Sequence, residues 1–320
     1  MARARVSLGV DLAGVQLPTP VLGASGTFGS GRELSPLLDL SRVGGVVTKS
    51  VTLRPVRGLP TPRMVETPSG MLNAIGLQNP GIDEFIEKEG PFIRKAGVPV
   101  ILSIAGKSVE EFVQVAIRAQ HVPGVVALEA NISCPNVERR NQVFACHPDA
   151  AAEVVGAVAR LSRLPVFAKL TPDVTDIVEV ADACMRAGAH GISLINTLLA
   201  MAIDVDTFRP KLGGVTGGLS GPAIRPVAVR AVYQVARALP EVPIIGMGGI
   251  RNARDAVEFL LAGAWAVAVG TTNFWNPQAV ADVGRGIGEF LAQRGLRAPA
   301  DLRAKVVAEE EAGEPAHRGG

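Results

Sequence analysis

The sequence predicts an α/β protein: a (β/α)8 TIM barrel with an N-terminal β-hairpin and a long insertion after strand 2. Three observations carry that expectation. Eight short apolar bursts recur along the 320 residues, each closing on small or polar residues. Most are followed by ten or more residues with helical periodicity. No linker or short-period repeat interrupts this alternation, so residues 1–307 read as a single domain. Strands alternating with such helices imply right-handed βαβ units and a parallel sheet, and eight units point to closure. A doubly wound open sheet is the alternative.

In chain order, residues 5–18 come first; they include VSLGVDLAGVQLP, which alternates and turns like a hairpin able to plug the barrel bottom. The strands expected are PVLGAS (20–25), GGVVTKS (44–50), PVILSIAG (99–106), VVALEANIS (125–133), PVFAKLT (165–171), GISLINT (191–197), PIIGMGG (243–249) and AVAVGT (266–271). Helices are expected at SVEEFVQVAIRAQ, DAAAEVVGAVARL, DIVEVADACMRAG, IRPVAVRAVYQVARAL and ARDAVEFLLAG. Residues 51–82 form a Pro/Gly-rich insertion too long for a plain βα loop, on the face where such barrels carry function. The polar tail AEEEAGEPAHRGG (308–320) is expected to be disordered.

Composition excludes several classes. A net charge of +2 is too small to imply nucleic acid or an anionic membrane. The three cysteines, at 134, 146 and 184, make no CxxC pair, so the chain supplies neither a zinc site nor an iron–sulfur cluster. The start MARARVSLGVDLAG lacks a secretory h-region, and the longest strongly apolar stretch, Phe259 to Gly270, is too short to span a bilayer. A cytoplasmic setting is expected.

In a parallel barrel the active site gathers at the C-terminal strand ends. Here strand two closes on Lys49-Ser50, strand four on Asn131 and then Cys134, strand five on Lys169, and strand six on Asn196-Thr197. A buried strand end has no structural need for lysine, because a desolvated ammonium is costly unless paired. Two lysines, two asparagines and a cysteine at one rim point to a flat, polar ligand. Glu129, two residues before Asn131, faces the same side and is a candidate to neutralise a barrel lysine. Strands seven and eight close on Gly248-Gly249 and Gly270-Thr271, each followed by a helix start, an arrangement that holds phosphate. Gly-Gly can also serve only a tight turn. A ligand with a phosphate and a large body across the barrel mouth fits flavin mononucleotide. Cys184 lies in an amphipathic helix and reads as packing, whereas Cys146 reads as a spare thiol in a polar loop. The histidines 121, 147, 190 and 317 show no metal-ligand spacing.

From about residue 6 to about residue 294 the chain resembles class 1 dihydroorotate dehydrogenases, most closely the FMN-containing catalytic subunit of the NAD-linked 1B type. The resemblance is carried by ASGTFG (24–29), TKSVT (48–52), ETPSGMLNAIGLQNPG (66–81), NISCPNV (131–137) and KLTPDVTDIVE (169–179). It continues through INTLLAMAID (195–204), TGGLSGPAIRPVA (216–228), GMGGI (246–250) and GTTNF from Gly270. It implies oxidation of (S)-dihydroorotate to orotate in pyrimidine biosynthesis, with C5 deprotonation by Cys134 and hydride transfer from C6 to FMN N5. Lys49 and Lys169 are the other implied catalytic residues. The implied FMN contacts are Ser25, Lys49, Ser50, Ser103, Asn131, Lys169, Ile195, Gly221, Gly248, Gly249, Gly270 and Thr271. The implied substrate contacts are Lys49, Asn73, Ala74, Ile75, Gly76, Leu77, Asn131, Asn196 and Thr197. FAD and a 2Fe-2S cluster are expected only on a separate electron-transfer subunit, giving a homodimer core and a heterotetramer with that partner.

The chemistry suits those residue types. A base on the ring face away from the flavin must reach the C5 proton, and a cysteine serves once deprotonated, its free pKa of about 8.5 being movable by nearby charge. A fixed cation at Lys169 stabilises charge that develops on reduction. The asparagines match the alternating N–H and C=O edge of a pyrimidine, although each alone could be a turn former. Two segments depart from the family pattern. ERRNQVFACHP (138–148) lacks the usual Gly-Gly and carries His147 where aspartate is usual, and Gly58-Leu59-Pro60 stands where Gly-Asn-Pro is common. Rival readings are a dihydropyrimidine dehydrogenase subunit, a Schiff-base lyase using Lys169, and a flavin-binding subunit without turnover.

Overall fold

The computed structural model describes residues 6–133 and 147–306. Cys134, Cys146, most of the departing segment 138–147 and the polar tail lie outside the described residues. The chain opens with a hairpin, β1 (Val10–Leu12) and β2 (Val15–Leu17), turned by Ala13 and Gly14 at φ 54° and 83°. Positive φ at both turn residues gives the twist that a two-residue hairpin needs. Next come β3 (Val21–Gly23), β4 (Gly45–Val47), β5 (Met64–Thr67), β6 (Gly70–Asn73), β7 (Val100–Ile104) and β8 (Val125–Asn131). They are followed by β9 (Val166–Leu170), β10 (Gly191–Leu194), β11 (Leu198–Ala200), β12 (Ile203–Asp204) and β13 (Arg209–Pro210). The last three are β14 (Gly217–Ser220), β15 (Ile244–Met247) and β16 (Ala266–Val269).

Eight of these strands close a parallel barrel in the order β3-β4-β7-β8-β9-β10-β15-β16, and each lies within one of the eight expected segments. The helices that cover it are α1 (Ile82–Lys95), α2 (Val109–Ala119), α3 (Pro148–Leu161), α4 (Ile177–Arg186), α5 (Arg225–Ala238), α6 (Ala253–Ala262) and α7 (Ala279–Gln293). Their ends follow local chemistry. Ser108, Asp176 and Asn252 cap α2, α4 and α6 by accepting from backbone N–H groups one turn in, and Gly263 ends α6 in the left-handed region. The crossover from β3 to β4 runs through turns and a short 3-10 segment, Leu40–Arg42.

The barrel interior is layered. Leu22, Val47, Ile101, Ala127, Phe167 and Ile245 form an apolar floor with Leu12, Val15 and Leu17 of the hairpin, which therefore plugs that end as expected. Farther along the same strands the inward positions turn polar, with Ser103 on β7, Glu129 and Asn131 on β8 and Lys169 on β9. The 51–82 insertion folds as the β5–β6 hairpin. Asn79 ties its end to its start by accepting from the backbone N–H of Thr52 (3.1 Å) and of Gly81 (2.9 Å). This insertion does not stand alone. A second excursion after β10, residues 195–221, supplies β11 and β14, which complete a four-stranded antiparallel sheet in the order β11-β14-β6-β5. That second half was not anticipated from the sequence.

Candidate active site

The site is built where the polar layer of the barrel meets this added sheet. Alternation along β8 sends Glu129 and Asn131 inward, and pairing in register sets Lys169 opposite Asn131 on β9. From these positions a continuous polar chain crosses the barrel. Lys169 Nζ lies 3.5 Å from Glu129 Oε1, which also accepts from Ser103 Oγ at 3.2 Å. Ser103 and Ser50 share a hydroxyl–hydroxyl bond of 2.9 Å, and Asn131 Nδ2 donates to Ser50 Oγ at 2.9 Å. Ser133 Oγ donates to Asn131 Oδ1 at 2.8 Å, and Asn196 Nδ2 donates to Ser133. Asn196 Oδ1 in turn accepts from the N–H of Thr197 at 2.8 Å. The candidate neutralisation of a barrel lysine by Glu129 is thus realised, and the lysine is Lys169.

Above this chain opens a cavity of about 610 Å³. Its walls include Ser25, Lys49, Ser50, Asn131, Lys169, Ile195, Gly221, Gly248, Gly249, Gly270 and Thr271. They also include Asn73, Ala74, Ile75, Gly76, Leu77, Asn196 and Thr197. Ser103 is placed differently: it is fully buried one layer below, where it supports Ser50 and Glu129 instead of facing the cavity. Ser133, Thr171, Asp173, Ser220 and Met71 line the cavity too and were not singled out from the sequence. Ser133 could have been found, since it lies two residues beyond Asn131 within NISCPN. Ser220, whose Oγ accepts from Thr271 Oγ1 at 2.8 Å, lies within TGGLSGPAI beside the implied contact Gly221.

A group with an anionic end and a flat polar body fits these walls. Gly221, Gly248 and Gly249 hold φ values of 94°, 127° and 80°, a conformation that brings bare backbone to one end of the cavity. A Cβ on Gly249 would sit 2.8 Å from both Arg225 Cβ and the carbonyl oxygen of Gly221, so the close approach there requires glycine. Behind this turn Asp255 is buried against Arg225 and accepts from the N–H of Arg251 at 2.9 Å, bracing the starts of α5 and α6. The cavity wall also carries Lys169 and Asn131 and the apolar residues Ile195 and Met247. That donor set matches an isoalloxazine ring, whose pyrimidine edge is polar and whose faces are not.

A family model described as "Dihydroorotate dehydrogenase" matches residues 7–291. The chain belongs to the dihydroorotate dehydrogenase family. Among curated relatives, a "Dihydroorotate dehydrogenase B (NAD(+)), catalytic subunit" of Geotalea daltonii is 54% identical over 293 residues, covering 92% of this chain and 96% of the relative. A protein of the same name from Desulforudis audaxviator is also 54% identical, with coverages of 92% and 95%. A crystal structure of the dihydroorotate dehydrogenase of Eimeria tenella in complex with ferulenol superposes with a TM-score of 0.80 at 22% identity, covering 96% of this chain and 90% of that one, and so shares the fold. The family resemblance read from the motifs therefore holds, including its NAD-linked branch. Within the family, the layered barrel accounts for one site carrying both lysines and all three asparagines. Each sits at a different strand end or on the added sheet, and barrel closure together with the pairing of that sheet brings them to one cavity.

Proposed function

We propose that this chain is the catalytic subunit of an NAD-linked dihydroorotate dehydrogenase, binding one FMN and oxidising (S)-dihydroorotate to orotate in pyrimidine synthesis. The observation that carries this reading is the convergence of Lys49, Asn73, Asn131, Lys169, Asn196 and Thr197 on one cavity floored by a buried cation. FMN, when bound, supplies the hydride acceptor for substrate C6. The glycine turns at 221, 248–249 and 270, with Thr271, hold its phosphate end, and Lys169 faces its pyrimidine edge. Lys49 pairs with the substrate carboxylate, while Asn73, Asn131 and Asn196 orient the ring through its alternating donors and acceptors. Cys134, directly after Ser133 in the chain, takes the C5 proton. The added β11-β14-β6-β5 sheet, with residues 73–77 leading out of its inner strand β6, excludes water from the reacting face.

The test is anaerobic. The purified chain should be yellow, and dihydroorotate should bleach its flavin while dihydrouracil does not. Replacing Cys134 by Ala should slow bleaching by a factor of about 10² to 10⁴, the usual worth of a positioned general base. A flavin bleached equally by both substrates would point to the dihydropyrimidine alternative, and undiminished bleaching in C134A would remove the proposed base. No helix among the described residues is long and apolar enough to cross a membrane. We infer a cytoplasmic enzyme whose electrons pass to NAD through a separate subunit carrying FAD and a 2Fe-2S cluster. Its core is inferred to be a homodimer, and its full assembly a heterotetramer. NAD reduction that requires both subunits, and fails with this chain alone, is the result expected.

A further inference from the structure

The chemistry proposed above uses both lysines and the asparagines but gives Glu129 no part. Glu129 is fully buried inside the barrel, one inward position below Asn131 on β8. Its Oε1 is engaged by Ser103 and by Lys169, whose side chain is only 6% exposed. Its Oε2 is buried and receives no hydrogen bond among the described residues. Removing a carboxylate from water while leaving one oxygen unsatisfied is costly, and an apolar residue of similar volume is commonly no worse for stability. Ser103, the immediate neighbour on β7, has one hydroxyl proton and cannot serve both oxygens while it also bonds Ser50. The arrangement is therefore expensive as packing but coherent as electrostatics. An anion is fixed beneath a cation, and that cation opens on the cavity floor.

Building on the FMN reading above, we propose that Glu129 is a positioning residue that holds the Lys169 ammonium toward the cavity and, by its charge, lowers the reduction potential of the bound flavin. Lys169 alone would favour the reduced, more negative flavin. A compensating anion beyond it weakens that preference, because interactions in this dry interior are poorly screened. The result is a reduced flavin that releases its electrons to the next acceptor more readily.

The full-length FMN-loaded chain tests this with two variants, one matching the shape of glutamate and one matching its charge. Each is equilibrated with a redox dye of known potential, and the ratio of oxidised to reduced flavin is read spectroscopically. In E129Q, isosteric but uncharged, the equilibrium should move at least tenfold toward reduced flavin, about 30 mV for a two-electron couple. In E129D, which keeps the charge but not the shape, it should stay within about threefold of wild type, well under one tenfold step. An unchanged equilibrium in flavin-loaded E129Q overturns the inference. So does a tenfold shift in E129D, since the effect would then follow shape and not charge. If E129Q does not hold flavin, E129A, which also removes the charge, decides on the same tenfold criterion, an unchanged equilibrium overturning the inference. A wild type that takes up no FMN overturns the functional reading and this inference together, whereas an unchanged equilibrium in yellow E129Q overturns this inference alone.

Discussion

Burying Lys169 and Glu129 together makes each the condition of the other. Truncating one leaves an uncompensated charge in the barrel interior, a loss of about 3 to 5 kcal/mol in comparable buried pairs. We therefore expect Lys169→Met to destabilise the flavin-free protein by about that amount, and K169M/E129Q to recover most of it. Urea titration of the flavin-free chains measures both. Cys184 gives a second prediction with a definite pH window. It is fully buried in α4, and burial alone pushes its thiol from 9.0 up to about 12. The unfolded chain loses this proton near pH 9 while the folded one keeps it, so between pH 9 and about 12 the unfolded state binds fewer protons. Stability then falls as pH rises through that window, by at most about 1.4 kcal/mol per unit. The stability advantage of wild type over Cys184→Ala should be constant below pH 9 and narrow above it. At this scale the sequence was legible wherever a residue was out of place: lysines at strand ends, and a glutamate one alternation below an asparagine. Ser103 shows the limit. Alternation tells which way a side chain points but not how deep in the barrel it stops, and depth separates a cavity wall from the layer beneath it.

Among the elements, the barrel strands were readable because each is a continuous apolar run ended by glycine or a polar residue, as a strand buried on both faces must be. The second excursion, 195–221, was opaque for the opposite reason. LLA and GGLS are too short to show a period, and GGLS, which pairs with LLA on one side, finds its other partner, Gly70–Asn73, more than a hundred residues away. Motif resemblance marked these residues, but only the register of β14 with β6 shows that two insertions build one sheet. The glycine turns are elements in the same sense. Gly249, at φ 80° with Arg225 Cβ and the Gly221 carbonyl in the way of any side chain, ties the end of β15 to the start of α5. Gly249→Ala should cost about 1 to 3 kcal/mol in backbone strain. It should also weaken FMN retention, by about tenfold for each 1.4 kcal/mol of that strain felt at the cofactor. Recovery of free-flavin fluorescence on dilution measures it, and unchanged retention would detach this turn from the cofactor.

For the whole molecule, the informative surface is the outer side of the same second excursion. Ile203, Val205 and Phe208 are 55%, 76% and 87% exposed, while Leu199 lines the cavity. Residues at the root of that excursion, Asn196, Thr197, Gly217, Gly218 and Ser220, line the cavity. If the homodimer proposed above buries these side chains, association and substrate binding share one stretch of chain, and each steadies the other without a separate linkage device. Val205→Asp with Phe208→Asp should then leave the barrel folded, because neither residue enters its core, and shift the sedimenting species from dimer to monomer. The monomer should still retain FMN, because two of the three glycine turns proposed for its phosphate, at 248–249 and 270, directly follow barrel strands. Its KM for dihydroorotate should rise several-fold, since Asn196 and Thr197 lose the support of a fixed arm. A dimer of unchanged mass in that variant would move the assembly interface elsewhere. A clean monomer with unaltered KM would instead show that the arm serves association alone.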